Sequence, residues 1–310
     1  PRGCTNAGGS MIALCIHGGA GDRNPSTEDA AVLTALAGAL DAGWAVLESG
    51  GAALDAIQVA IGILEDEPLF NAGRGAALTS AGSVELDAAL MDGATQRAGA
   101  VIGVQRIRYP IAAARAVLEH SPHVVMAGEG AERFAHAHGC EMVEPSFFIT
   151  ERSKRALERT LARQTRGELG TVGAVALDAR GTIAAGNSTG GMSGKLPGRV
   201  GDTPLIGAGT YASSWVGVAC TGHGEYFIRV GAALRVSMLV ELGGRSLQEA
   251  TQEVLSAVSS LGGSGGMIAL DSSGAIAMPF TTTSMARAWR RSDGSEGVEL
   301  YAPASAKTRA

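Results

Sequence analysis

The chain has 310 residues, 45% of them hydrophobic and 18% charged, with a net charge of −5, the composition of a globular protein able to bury a sizeable core. That acidic balance, with no basic stripe, excludes the electrostatic footprint of a nucleic-acid binder. Four cysteines (Cys4, Cys15, Cys140 and Cys220) are too few and too scattered for a disulfide scaffold or a zinc site with two paired ligands, so a reduced, cytoplasmic setting is expected.

Residues 1–10 are polar and lack the apolar stretch of a secretory signal, so they read as a disordered leader ahead of Met11. No apolar run reads as long and uninterrupted enough to span a bilayer. Met11 to His17 reads as a buried strand ending at a glycine turn. Ser26 then offers an N-cap with Asp29 three residues on, and Leu33, Leu36, Leu40, Trp44 and Leu47 follow at helical steps up to Gly50. A second helix carries Leu54, Ile57, Ile61 and Leu64 along one face and ends at Pro68. Strands are expected over Val84 to Met91 and Val101 to Gln105, then a helix from Pro110, and another strand and short helix complete the first half. Residues 151–170 are charged and poor in large apolar residues, and read as a solvated helix or mobile linker.

Two hairpins with tight polar turns follow, Thr171 to Asn187 and Gly266 to Phe280, with helices over about Tyr226 to Leu242 and Ser246 to Leu261 between them. Strands apolar on both faces must be covered on both sides, so the pattern predicts two sheets packed face to face with helices outside. Several motifs lead nowhere. The glycines after His17 lack the third member of a dinucleotide fingerprint, the Ser264 turn joins a helix to a strand instead of the reverse, and His136 and His138 point apart on a helix.

The stretch from Gly170 through Thr171 to Asp178 hands a threonine to the first position of an apolar strand. A threonine hydroxyl is a poor nucleophile without an adjacent base, and a backbone cut before Thr171 would create one as its own α-amine. A threonine at a strand start is also ordinary β propensity, and this stretch alone leaves that reading ahead. Thr189, eighteen residues on, is either a polar turn residue or a second hydroxyl able to orient the first.

Four segments occur in order: His17 to Gly21, Leu64 to Gly73, Gly186 to Asp202 with Asn187, Ser188 and Thr189 near its start, and Cys220 to Glu225. With Gly170 and Thr171 they resemble the plant-type asparaginase and isoaspartyl peptidase family of N-terminal nucleophile hydrolases, over about Ile12 to Trp289. The resemblance implies a four-layer αββα sandwich in one domain over 1–310. It implies self-cleavage between Gly170 and Thr171 into a 1–170 α subunit and a 171–310 β subunit. It casts Thr171 as nucleophile, Thr189 as its orienting partner, Thr221 and Gly222 as oxyanion hole, and Arg199, Asp202, Gly222 and Gly224 as the substrate site. Main-chain carbonyls of Leu64, Glu65, Glu67, Phe70, Ala72 and Arg74 would hold a structural sodium ion, with no other cofactor required.

The implied substrates are L-asparagine and β-aspartyl dipeptides, and the implied assembly is a dimer of αβ units, with no nucleic-acid or membrane partner. Two departures from the family's pattern, His223 and Thr281, bear on substrate preference more than on chemistry. A glycosylasparaginase would share fold and nucleophile but predicts a secretory signal. A non-catalytic amino-acid-binding module would keep Arg199 and Asp202 without processing.

Overall fold

The computed structural model describes residues 11–163 and 170–302. The leader over 1–10 and residues 164–169 of the expected linker lie outside them. The chain is mixed α/β. Its larger sheet has eight strands in the order β12 (Glu296–Tyr301), β11 (Ser284–Arg291), β1 (Ala13–Gly21), β5 (Val172–Leu177), β6 (Ile183–Thr189), β2 (Leu86–Asp92), β3 (Ala98–Val104) and β4 (Val125–Ala127). The smaller has four, in the order β10 (Ile276–Ala277), β9 (Gly265–Asp271), β8 (Val216–Gly222) and β7 (Thr210–Ala212). Neighbours run antiparallel throughout except β3 beside β4.

Alternate residues of the central strands serve two cores, as the two-residue period of a strand requires. Leu14 and Ile16 of β1, with Val172 and Ala174 of β5, pack against Leu36 and Leu40 of α1 (Asp29–Glu48) and Ile57 and Ile61 of α2 (Ala53–Asp66). Cys15 of β1 and Val175 of β5 face the other way and meet Ala219 of β8 and Ile268 of β9. On the far side of the smaller sheet, Val216 and Val218 pack against α6 (Gly224–Val230), α7 (Ala232–Glu241) and α8 (Leu247–Ser260) through Phe227, Val236 and Val254. Strands from either side of the Gly170–Thr171 junction alternate in the larger sheet. The first strand of the chain, β1, lies between β11 and β5, and both of these come after the junction.

Several sequence expectations are corrected. Strand β1 does not stop at His17 but continues to Gly21, with a register shift against β11 between His17 and Gly19 that absorbs the glycines. Helix α1 starts at Asp29 with Glu28 as N-cap; the Ser26 hydroxyl donates to the Asp29 carboxylate instead of capping, although Ser26 N–H does donate back to Asp29. The helix expected over Tyr226 to Leu242 is two helices, because Gly231 adopts φ 59° and ψ 49°, a left-handed conformation that ends α6. Glu151–Arg163 forms α5, the solvated helix of the two alternatives, with Ser153 and Ala156 buried. Helix α1 is also long and apolar enough, at a mean hydropathy of 1.7, to cross a membrane by length and composition. Here its apolar stripe packs on the larger sheet and its Asp41 pairs with Arg290 at 2.8 Å.

Glu65, near the end of α2, is a cross-link buried in this architecture. Its Oε1 accepts from the Ile111 N–H at 3.0 Å, at the start of α3 (Pro110–His120), and from the Ser188 hydroxyl of β6 at 2.5 Å. Burial pushes its carboxyl up to about 8 against the opposing pull of those hydrogen bonds. A folded-state value raised above the unfolded one stabilises the fold fully below about pH 4.5, and that contribution is lost as pH rises towards about 8. Glu65→Gln is therefore expected to flatten the fall of Tm with pH across this window, as read by thermal unfolding. An unchanged slope would show that Glu65 is not the group responsible.

Candidate active site

The Gly170 carbonyl oxygen is the convergence point of three donors. The Thr171 hydroxyl donates to it at 2.8 Å, the Thr189 hydroxyl at 3.0 Å and the Asn71 side-chain amide at 2.9 Å. Thr171 and Thr189 hydroxyls are 3.2 Å apart, and both residues are buried. Three segments supply these groups: the turn after α2 brings Asn71, Thr171 immediately precedes β5, and the end of neighbouring β6 carries Thr189. Each donor is fixed by a second contact. Thr189 Oγ1 accepts the Gly191 N–H at 2.9 Å, while Asn71 Oδ1 accepts the Ala77 N–H at 2.7 Å and its amide also donates to the Gly191 carbonyl at 2.6 Å. Three donors on one carbonyl withdraw charge from its oxygen and make its carbon electrophilic, with a hydroxyl adjacent.

Asn71 lies within the Leu64 to Gly73 segment, where the sequence assigns it no role. Its only sequence signal is a side-chain amide in a turn of small residues, which a polar turn residue explains equally well.

A small cleft brings Gly170, Thr171 and Thr189 together with Arg199, Asp202 and Gly222. Thr221 is fully buried beside it, and its hydroxyl accepts the Ala20 N–H at 3.2 Å. Gly224 stands behind Asp202: a Cβ on it would lie 2.7 Å from an Asp202 carboxylate oxygen, so only glycine lets α6 begin there. Asp202 Oδ2 is buried without a hydrogen-bond partner among the described residues, and burial pushes this carboxyl up to about 7. Arg199 Nε donates to Glu225 Oε1 at 2.8 Å, a partner that sequence reasoning did not assign. The two cleft groups are thus a guanidinium and a carboxyl that ionises above about pH 7, not paired with one another, an arrangement suited to the carboxylate and ammonium of an amino acid.

Behind the cleft the buried Lys195 ammonium donates to the Glu85 carbonyl at 2.9 Å, and the Glu85 carboxylate accepts the Gly198 N–H at 2.9 Å. These contacts fix the loop between Thr189 and Arg199. His17, fully buried, has its Nε2 3.1 Å from Asn187 Oδ1, and burial lowers its imidazole to about 4, so it is neutral at pH 7.

In the loop after α2, the Glu65 carbonyl accepts the Arg74 N–H at 2.7 Å and the Glu67 carbonyl accepts the Phe70 N–H at 3.2 Å. The helical partner of the Leu64 carbonyl would be residue 68, a proline with no N–H. His223 and Thr281 both lie at the edge of the site. Ser264 N–H donates to His223 Nδ1 at 3.2 Å, and Gly265 N–H donates to the Thr281 hydroxyl at 3.1 Å. The Ser264 turn is therefore tied down on both sides.

A family model described as asparaginase matches residues 10–299. The chain is 48% identical over 309 residues to the isoaspartyl peptidase of Escherichia coli strain K12, covering 93% of this chain and 95% of that one. It is 40% identical over 280 residues to the isoaspartyl peptidase/L-asparaginase of Homo sapiens, covering 88% and 91%. It is 39% identical over 309 residues to the plant-type L-asparaginase of Pyrococcus horikoshii, covering 93% and 99%.

Only an ionised Asp202 attracts an ammonium, so affinity for an α-amino acid is expected to fall as pH drops below about 7, by up to about tenfold per unit. Binding isotherms between pH 5 and pH 8 check this, with Asp202→Asn expected to be weaker and flat; a wild-type profile equally flat would contradict the assignment.

Proposed function

This chain belongs to the asparaginase family, and from that premise we propose a self-cleaving amidohydrolase that releases L-aspartate from L-asparagine and from β-aspartyl dipeptides through a threonyl ester. The observation that carries the reading is the triply donated Gly170 carbonyl beside the Thr171 hydroxyl. In maturation Thr171 Oγ attacks the Gly170 carbonyl carbon. The oxyanion that forms has Asn71 and Thr189 as its donors. The C–N bond to Thr171 then breaks as the nitrogen takes up the proton given up by the Thr171 hydroxyl, leaving an ester between Gly170 and the Thr171 oxygen. Water opens that ester, giving a Gly170 carboxylate and a free Thr171 amine.

The new α-amine, with a reference pKa of about 8, is partly neutral at physiological pH and accepts the Thr171 hydroxyl proton in turnover. Arg199 and Asp202 hold the substrate's α-carboxylate and α-ammonium, which sets its β-carbonyl over Thr171. Thr221 and Gly222 stabilise the second oxyanion. Attack forms the aspartyl ester and expels ammonia or an amino acid; water then releases aspartate and restores Thr171. Gly224 contributes the room in which Asp202 sits.

The fold reads as the four-layer αββα sandwich of N-terminal nucleophile hydrolases, supported by helices that pack on the outward face of each sheet. Cleavage would leave a 1–170 α subunit and a 171–310 β subunit in one domain, supported by the alternation of their strands in one sheet. A dimer of αβ units follows from the family reading. A cytoplasmic setting is supported by Cys15, Cys140 and Cys220, which are free thiols.

The loop from Leu64 to Arg74 fits a sodium ion. Its carbonyls are neutral oxygen donors of the kind a hard cation prefers, and that of Leu64 lacks its helical partner. The ion would rest on carbonyls of Leu64, Glu65, Glu67, Phe70, Ala72 and Arg74 and would brace the turn that carries Asn71.

Intact mass spectrometry over several days near neutral pH tests the reading. Two fragments splitting after Gly170 are expected from the wild type, a single chain from Thr171→Ala, and cleavage slowed by about 100-fold in Asn71→Ala, the scale of losing one oxyanion donor. A wild type that stays uncut would favour a non-catalytic amino-acid-binding module.

A further inference from the structure

A receptor for an amino acid faces a difficulty that its substrate creates. The cation meant for the carboxylate and the anion meant for the ammonium attract each other, and if they pair the empty site closes on itself. Arg199 and Asp202 are only three residues apart and line the same cleft, yet no ion pair joins them among the described residues. The Asp202 Oδ2 atom is left buried and unpartnered. The guanidinium is held elsewhere: its Nε donates to Glu225 Oε1 at 2.8 Å, and its Nη1 lies over Gly201, 2.9 Å from where a Cβ would stand.

We infer that Glu225 is a positioning residue that holds the Arg199 guanidinium away from Asp202 and so keeps the empty site open for a zwitterionic substrate. The inference rests on the substrate-binding roles proposed above for Arg199 and Asp202. Glu225 is suited to this in three ways. It stands next to Gly224, whose missing side chain lets α6 start against Asp202, so one short segment handles both halves of the site. It bonds through Nε, which leaves both terminal nitrogens of the guanidinium to take a carboxylate end-on. Its side chain is about half exposed whereas Asp202 is buried, so the less desolvated acid carries the pair while the buried acid waits for a ligand.

The alternative is that Glu225 merely braces Arg199, and the two roles differ in one respect. A brace matters whether or not Asp202 is charged. A residue that prevents Arg199 from pairing with Asp202 matters only while Asp202 can compete.

The experiment is a double-mutant cycle on L-aspartate affinity by calorimetry, with KM and kcat for L-asparagine and the self-cleavage rate measured beside it. Glu225→Ala is expected to weaken aspartate binding and raise KM by about 10-fold, and Glu225→Gln, which keeps an acceptor oxygen without the charge, by about 3-fold. Both variants should leave kcat and self-cleavage within about twofold of wild type, since the grip plays no part in cutting the chain. In an Asp202→Asn background the loss from Glu225→Ala should vanish. An equal loss in both backgrounds, or unchanged affinity in the single variants, would overturn the inference. A wild type that binds aspartate but hydrolyses nothing would instead defeat the proposed activity and leave the binding cycle able to decide on Glu225.

Discussion

The geometry of this molecule depends on one buried carbonyl, that of Gly170. A carbonyl removed from water needs at least one donor, and this one has three, contributed by the adjacent Thr171 and by Thr189 and Asn71, 19 and 99 positions away. To deliver them the fold must bring the turn after α2, the start of β5 and the end of β6 to a single point. The interleaved sheet does so, because β5 and β6 are neighbours and α2 packs across both. Backbone contacts to Thr189 and Asn71 then hold the donors in place, so the arrangement exists before any bond is made or broken. That is the preorganisation on which electrostatic catalysis relies.

The same architecture carries buried ionisable groups, each handled differently. Glu65 accepts two hydrogen bonds and is favoured in its protonated form, so it joins α2, α3 and β6 without a buried charge at neutral pH. Lys195 sits on a backbone carbonyl with Glu85 and Asp87 as its electrostatic neighbours, and burial lowers its pKa. Asp202, like Glu65 and Asp87, keeps one carboxylate oxygen without a hydrogen-bond partner among the described residues, but of the three it is Asp202 that lines the Thr171 cleft. An uncompensated buried acid costs folding free energy, and a ligand ammonium would repay that cost on binding. The two acids differ in place: Glu65 joins three elements inside the fold, and Asp202 lines the cleft.

Much of this was legible in the sequence because strand and helix periods are local signals. Leu54, Ile57, Ile61 and Leu64 stand on one buried face of α2 as their spacing requires, and the turn from Asp178 to Gly181 joins β5 to β6. Thr171, Thr189, Arg199, Asp202 and Gly222, all named from the motifs, share one cleft. What escaped was decided by contacts between distant segments. Asn71 has no local mark separating it from any polar turn residue, and its role exists only when Gly170, 99 positions away, lies against it. Glu225 looks like the solvated first turn of a helix until the loop that carries Arg199 reaches it. Likewise, the break at Gly231 is invisible to a pattern in which glycine is merely a weak helix former.

His223 and Thr281, the two departures from the family's pattern, gain a physical account from their positions. Neither lines the cleft that holds Thr171. His223 exchanges hydrogen bonds with Ser264 through backbone and ring, and Thr281 both accepts from the Gly265 N–H and donates to the Gly265 carbonyl. Ser264 and Gly265 form the backbone against which Gly222 rests, since Gly222 and Gly265 are partners at the end of the β8–β9 ladder. Both unusual residues therefore act on the backbone that supports Gly222. Through that backbone they reach the cleft at Gly222, on its β8 side, and not at Arg199, which belongs to the loop after β6.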